Sequence, residues 1–312
     1  MNSSLSLKKH FFIVFLFFFL FTHSQSNNTE TLESAKAAYE DNDSEKAKQL
    51  INGLDYKTLN GEERYQLQKL IKLLYKNRVG VAHEVNTFLE EYPIQKSWNN
   101  SFLEYQRIIG RSAYLARVNY SNRFFTDDVL YEIEGYPVFN DKFYTFLNLN
   151  FSSGEFYQVF GASASAYHAI GNGYEIEGGF RYLDFETDEY LSGVIGLTKY
   201  ISQFYLNARG FLGPQKEETF IQNYQFNLRY YLENPEDYLL LRLGTGISPD
   251  DRTRFTQINS NPDLKAFYAN IGFRKSLNRF EFQIMGGALF EDLPYANNGT
   301  QLLASGFLMY NF

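Results

Sequence analysis

The sequence predicts an all-β transmembrane antiparallel barrel of about 12 strands, preceded by a small α-helical domain. Three observations lead there. Over roughly the last two hundred residues apolar side chains recur at every second position and are broken by short polar turns, the cumulative pattern of a barrel wall. The final segment, Leu302 to Phe312, puts Leu302, Ala304, Gly306, Leu308, Tyr310 and Phe312 on one face and closes on an aromatic. Past the N-terminal region no segment is apolar enough for a spanning helix, so a membrane crossing must be made by strands.

Composition agrees. The 312 residues include 25 Tyr and 31 Phe against one Trp, residue types that suit strands and membrane interfaces. Mean hydropathy is nevertheless −0.37, because a barrel wall turns apolar side chains to lipid only at alternate positions. A net charge of −7 argues against nucleic-acid binding by broad phosphate neutralisation. The absence of cysteine excludes a disulfide frame, a thiolate metal site and a thiol nucleophile. No cofactor or metal is expected.

Lys8 and Lys9 precede an apolar run from Phe11 to Phe21, and Thr22-His23-Ser24-Gln25-Ser26 follows, so residues 1–26 read as a secretory signal peptide. A retained helical anchor is the alternative, but the run is well short of the roughly 20 residues a span requires.

Residues 27–93 have helical periodicity. Leu32, Ala35, Tyr39, Ala47, Leu50 and Ile51 form one stripe, interrupted by Asp41-Asn42-Asp43, a turn and N-cap signal. This spacing is similar to a tetratricopeptide (TPR) helix pair. A second pair is expected from Glu62 to Tyr75 and from Val79 to Glu91, closed by Tyr92-Pro93. Such a unit is either a plain helical cap or a groove for a periplasmic protein partner. Residues 94–111 read as a linker, and 112–312 as the barrel.

The expected strands are Ala113–Asn122, Val129–Tyr136, Phe143–Phe151, Gly161–Ala169, Tyr174–Phe185, Leu191–Tyr200, Gln203–Phe211, Thr219–Leu232, Tyr238–Ile247, Phe267–Lys275, Arg279–Ala288 and Gln301–Phe312. With both ends of the chain periplasmic, even-numbered strands should be followed by tight turns: Ile170 to Gly173, Ile201-Ser202 and Ser276 to Asn278 fit. The long connections Ser248 to Ala266 and Phe290 to Thr300 then fall on the extracellular side, as barrels require. A periplasmic β-sandwich, the other all-β option, does not require this asymmetry.

Several stretches, in order, resemble the YaiO family of outer-membrane barrels: Tyr136-Pro137; Gly178-Gly179-Phe180-Arg181-Tyr182-Leu183-Asp184-Phe185; Leu197-Thr198-Lys199-Tyr200; Arg229-Tyr230-Tyr231-Leu232 with Asp237-Tyr238; and Leu243-Gly244-Thr245-Gly246-Ile247-Ser248-Pro249-Asp250. Gln203-Phe204-Tyr205 departs from an expected Tyr-Trp. The resemblance implies an outer-membrane barrel behind a short helical part. A role in surface polysaccharide or oligosaccharide handling follows only by analogy with exporters that join tetratricopeptide helices to a barrel.

Alternation assigns each strand residue to lipid or lumen. Tyr174, Ile176, Phe180 and Tyr182 face out, while Glu132, Glu134, Glu175, Glu177 and Arg181 face in. Tyr205, Asn207, Arg209, Asn223, Gln225, Asn227, Arg229, Arg242, Tyr268, Asn270 and Arg274 also face in. Arginines thus gather on one arc and glutamates on another. Either they fill a narrow lumen as ion pairs, or the two arcs face each other across water and steer polar or acidic solutes past the flat faces of Tyr205 and Tyr268.

An outer-membrane lipid hydrolase is a third reading. His168 is the one histidine on the expected strands, and Ser163 and Ser165 point away from it, leaving a cross-strand Ser192 as the possible nucleophile. The segment 248–266 carries Asp250, Asp251, Asp263, Arg252 and Arg254, and reads as a solvated loop touching lipopolysaccharide. Expected partners are therefore outer-membrane lipid and lipopolysaccharide, together with the barrel-assembly machinery, for which Tyr310 and Phe312 form the signal.

Overall fold

The structure, a computed structural model, describes residues 28–312 except 91, 124, 186–187, 217–218, 233, 235, 252–264 and 294–295. The expected signal peptide, 1–26, lies outside the described residues. The chain divides into a helical unit and a barrel unit.

Among the described residues three α-helices form the first unit: α1 (28–40), α2 (Ser44–Asn52) and α3 (Gly61–Leu74). Asn42 takes a positive φ of 62° to reverse the chain, and the Asp43 side chain then caps α2 by accepting from the Lys46 N–H. A capping box starts α3: Asn60 Oδ1 accepts from the Glu63 N–H at 3.0 Å, and Glu63 Oε2 accepts from the Asn60 N–H at 2.9 Å. The apolar stripes meet in a core that includes Leu32, Ala35, Ala47, Ile51, Leu67 and Ile71.

Among the described residues the barrel has fourteen strands: β1 (Asn77–Phe88), β2 (Trp98–Ile109), β3 (Ser112–Arg123), β4 (Thr126–Tyr136), β5 (Phe143–Ser152), β6 (Phe160–Gly171), β7 (Tyr174–Asp184), β8 (Glu189–Ile201), β9 (Phe204–Lys216), β10 (Thr219–Tyr231), β11 (Tyr238–Thr245), β12 (Ala266–Leu277), β13 (Phe280–Leu293) and β14 (Ala296–Asn311). Each strand neighbours the next, and β1 closes on β14 with Val79 opposite Tyr310 and Phe88 opposite Gln301. One closed sheet leaves no second sheet for a sandwich, and closure removes the open edges that lipid cannot satisfy.

The count of about 12 is corrected to 14, and both additional strands lie where helix and linker were expected. In β1 the spacing Val81, Val85, Phe88 imitates a helical stripe. The structure instead turns β-branched Val79, Val81, Val85 and Thr87 to one face and buries Arg78, Asn86 and Phe88 on the other. In β2 the polar run Asn99-Asn100-Ser101 blurs the alternation, yet Leu103 and Tyr105 face outward and Glu104 inward.

Tight turns join β6 to β7, β8 to β9 and β12 to β13, with Asn172, Ser202 and Asn278 at φ of 51°, 52° and 53°. In the first of these Gly173 follows at φ 74°, and that left-handed pair matches the twist of hairpin strands. Two further strands leave the parity of the connections unchanged, so the segment after β11 is still at the opposite end from these turns. The expected long connection Phe290 to Thr300 is not a loop. Here β13 and β14 continue their pairing, Phe290 opposite Thr300 and Glu291 opposite Gly299.

Outside, the wall presents Leu103, Ile133, Leu149, Ile195, Ile271 and Ile284, each more than half exposed. Inside, Asn, Gln, Glu and Arg alternate with them and are buried. Polar burial within an apolar shell is the reverse of a soluble protein and suits a hydrocarbon surround.

Candidate functional site in the barrel interior

The inward set begins with two carboxylates from β4. Glu132 and Glu134 are buried, and both are held by Arg117 of β3, whose Nη1 donates to Glu134 Oε1 at 2.9 Å and lies 3.4 Å from Glu132 Oε1. The same guanidinium donates to Glu104 Oε2 of β2, from Nη2 at 2.7 Å and Nε at 2.9 Å. Register explains the cluster: Glu104 is opposite Arg117, and Arg117 is opposite Glu132. Three adjacent strands therefore place one cation among three carboxylates, with every partner a near neighbour.

A second cluster joins β7, β9 and the segment after β11. Arg209 reaches Glu177 with Nη2 at 2.7 Å and Nε at 2.8 Å, although β8 lies between them. Gly196 of β8 makes this possible, since a Cβ there would sit 2.8 Å from Glu177 Oε2. Arg181, with 1% of its side chain exposed, donates to Asp250 from Nε at 2.5 Å and Nη2 at 3.1 Å, and Arg209 Nη1 donates to the same carboxylate at 2.8 Å.

The remaining singled-out residues are distributed around the wall. Glu175 accepts from the Tyr144 hydroxyl at 3.1 Å. Arg242 donates to Asn227 Oδ1 at 3.1 Å, and Arg274 pairs with Glu281. Arg229 stacks between the rings of Tyr205 and Tyr238, 4.9 and 5.0 Å from their centroids. Asn207, Asn223 and Asn270 are buried. The two expected arcs therefore do not confront each other as unpaired charge: the β4 glutamates are taken by Arg117, between them and β2. Nor does Tyr268 offer an open face. It is 2% exposed and fits over Gly244, where a Cβ would lie 2.3 Å from its hydroxyl.

Asp250 also revises the reading of 248–266 as a solvated loop. Ile247 and Ser248 are buried, and Ile247 joins an apolar cluster with Leu130, Tyr157, Leu183, Tyr190 and Ile221. Two connections, 153–159 and 246–251, thus turn inward and meet; Arg252, Arg254 and Asp263 lie outside the described residues. Burial opposes ionisation of Asp250, but Arg209 and Arg181 outweigh it and hold the carboxyl below the ordinary carboxylate range.

Two polar cavities flank this contact, of about 220 Å³ and about 370 Å³. Both are walled by Arg117 and Asp250. Three of the residues that define the interior were missed at the level of sequence: Glu104, hidden in the expected linker; Arg117, an inward position on an expected strand; and Asp250.

For hydrolytic chemistry, His168 lies on the outward face of β6, while Ser165 is buried inside and Ser192 is likewise buried on β8. They stand on opposite sides of the wall. The strand β1 adds a second barrel histidine, His83, whose Nδ1 is 2.9 Å from Ser101 Oγ on the exposed exterior. Among the described residues no group of His, Asp and Glu is placed to hold a metal ion.

Comparison with solved structures finds barrels of the same fold. A TodX deltaS2S3 mutant monoaromatic hydrocarbon channel aligns with a TM-score of 0.52 at 9% identity, covering 76% of this chain and 91% of that one. The CymD monoaromatic hydrocarbon channel aligns with a TM-score of 0.50 at 9% identity, covering 79% and 92%. No curated protein matches the sequence. The model of the YaiO membrane beta barrel domain matches residues 76–251, which begins one residue before β1 and ends one residue after Asp250. With a closed barrel, an apolar exterior and that match over more than half its length, the chain belongs to the YaiO family of outer-membrane β-barrels.

Proposed function

We propose that this outer-membrane barrel is a gated passage or export accessory for polar solutes of the oligosaccharide class, held shut here by its own inward-turned segment. The observation that carries the reading is Asp250, anchored to Arg181 and Arg209 where it walls both polar cavities. An ion-paired side chain on a connection, unlike one on a strand, can withdraw without breaking the sheet. Amides, phenols and paired charges supply a lining that replaces water around hydroxyls. In this reading residues 1–26 are a cleaved leader, the helical unit lies in the periplasm, and the end of the barrel from which residues 246–251 turn inward is the extracellular one, beside lipopolysaccharide. Tyr310 and Phe312 then serve recognition by the barrel-assembly machinery.

Single-channel recording in planar bilayers tests it. The intact protein should conduct rarely, and Asp250→Ala should give frequent discrete openings. Silence from both proteins, each verified as inserted, removes the passage.

A second reading, a closed barrel acting as a scaffold, is favoured by the apolar cluster around Ile247 and Tyr157. There the helices, packed in TPR-like fashion, hold a periplasmic protein. Deleting 28–75 should then leave barrel insertion intact and lose that partner in pull-downs.

A further inference from the structure

The smaller interior cavity has one wall made of a chain of side-chain amides. Asn148 Nδ2 donates to the Glu132 carboxylate at 3.2 Å, Asn150 Nδ2 donates to Asn148 Oδ1 at 2.6 Å, and Gln158 Nε2 donates to Asn150 Oδ1. All are buried, Gln158 at 0% exposure. The carboxylate fixes the direction of the whole relay. It can only accept, so Asn148 must present its NH₂ group, its oxygen must accept from Asn150, and the same logic passes to Gln158. Each bond polarises the next. The relay therefore ends in Gln158 Oε1, a buried acceptor without a partner among the described residues, at the cavity wall. Gly161, opposite Asn150 on β6, leaves the room this requires: a Cβ there would lie 2.2 Å from Asn150 Oδ1.

An acceptor terminus needs a donor, because a buried acceptor left unsatisfied keeps its full cost of desolvation. The cavity's charge says which donor. Three carboxylates line it, Glu132, Glu134 and Asp250, against one guanidinium, Arg117. The Arg117 guanidinium is already paired with Glu104, Glu132 and Glu134, so among the described residues an anion entering finds no free cation. A volume of about 220 Å³, the liquid share of roughly seven waters, suits a single six-membered ring. Leu130, Phe146, Leu183 and Pro249 give its C–H faces apolar contact.

We infer that this cavity is a subsite for one uncharged pyranose unit, which donates a hydroxyl to Gln158 Oε1, and that it rejects the corresponding uronate. The inference rests on the oligosaccharide reading above and names its substrate class.

Methyl glucoside and methyl glucuronide, which share a ring and differ in charge at C6, are the probes. Full-chain protein is refolded from urea into detergent micelles with either probe present, so that entry does not depend on Asp250, and bound sugar is measured by equilibrium dialysis. The glucoside should bind saturably, the glucuronide at least tenfold more weakly, and Gln158→Leu should weaken the glucoside about five- to tenfold. Absence of saturable glucoside binding, equal binding of both probes, or an unchanged affinity in a folded Gln158→Leu protein overturns the subsite. Should that variant not fold, the comparison of the two probes on the unmodified protein decides. The bilayer experiment is independent: current through Asp250→Ala without glucoside binding leaves the passage and removes the subsite, whereas binding without current does the reverse.

Discussion

Arg181 and Asp250 stand 69 positions apart and meet inside the barrel, the Arg181 Nη2 donating to Asp250 Oδ2 at 3.1 Å. Both residues fall within the stretches that carry the family resemblance, one in the run from Gly178 to Phe185 and the other at the end of Leu243 to Asp250. Their contact gives those separate stretches a common physical purpose. Replacing Asp250 with Ala leaves a guanidinium that is 1% exposed short of its strongest acceptor. Urea titration of the inserted protein should show a loss of roughly 2–3 kcal/mol, alongside the increased conductance expected above.

The same contact has a pH dependence of known sign. Burial works against the Asp250 carboxylate, yet Arg209 and Arg181 hold its pKa below the ordinary value. Its contribution is therefore complete above about pH 4 and is lost as pH falls through the depressed folded value. Conductance of the unmodified protein should stay low from neutral pH to about 4 and rise only in stronger acid. A rise between pH 7 and 5 would assign the gate to another group.

Arg117 is the shared partner of Glu104, Glu132 and Glu134. Arg117→Met should cost about 3–5 kcal/mol, because three buried carboxylates lose their cation. Heat-modifiable gel mobility reports it directly. Adding Glu104→Gln and Glu134→Gln to the same protein should restore part of the loss, since fewer carboxylates then lack compensation.

The strand count has a clean genetic test. A chain starting at Lys76 retains β1, the partner of β14, and should form a heat-modifiable barrel in micelles. A chain starting at Ser112, the boundary that alternation alone indicates, lacks β1 and β2 and should stay open and aggregate. Equal folding of both would return the barrel to twelve strands.

Lipid-facing positions supply a contrast to the interior. Ile271 is 67% exposed at the middle of β12, beside buried Asn270. Ile271→Arg should destabilise by about 2–4 kcal/mol in liposomes, measured by urea unfolding. A near-zero effect would mean that this face is wet.

Much of this architecture was legible in the sequence, and the failures have identifiable causes. From β3 onward, alternation separates Tyr174, Ile176 and Phe180 from Glu177 and Arg181, because hydrocarbon and lumen impose opposite demands on adjacent residues. In β1 the valines satisfy a period of 3.6 as well as a period of 2, and only pairing with β14 decides between them. Partner choice was not legible either. Periodicity shows that Glu132 points inward, but register is what sets it beside Arg117. The seating of Asp250 depends on two connections that turn inward together, and a polar, proline-containing segment has the same composition whether it is solvated or folded into a lumen.

The seam between β1 and β14 binds Arg78 to Asn311 and Phe88 to Gln301, so the cylinder depends on contacts between the most distant parts of its own wall. No subset of strands gains the cooperative stability of the ring, and closure entropy must be met before the last ladder forms. Synthesis and export of the entire wall therefore precede completion, and until then the exposed edges of the first and last strands need shelter from each other's counterparts on neighbouring chains.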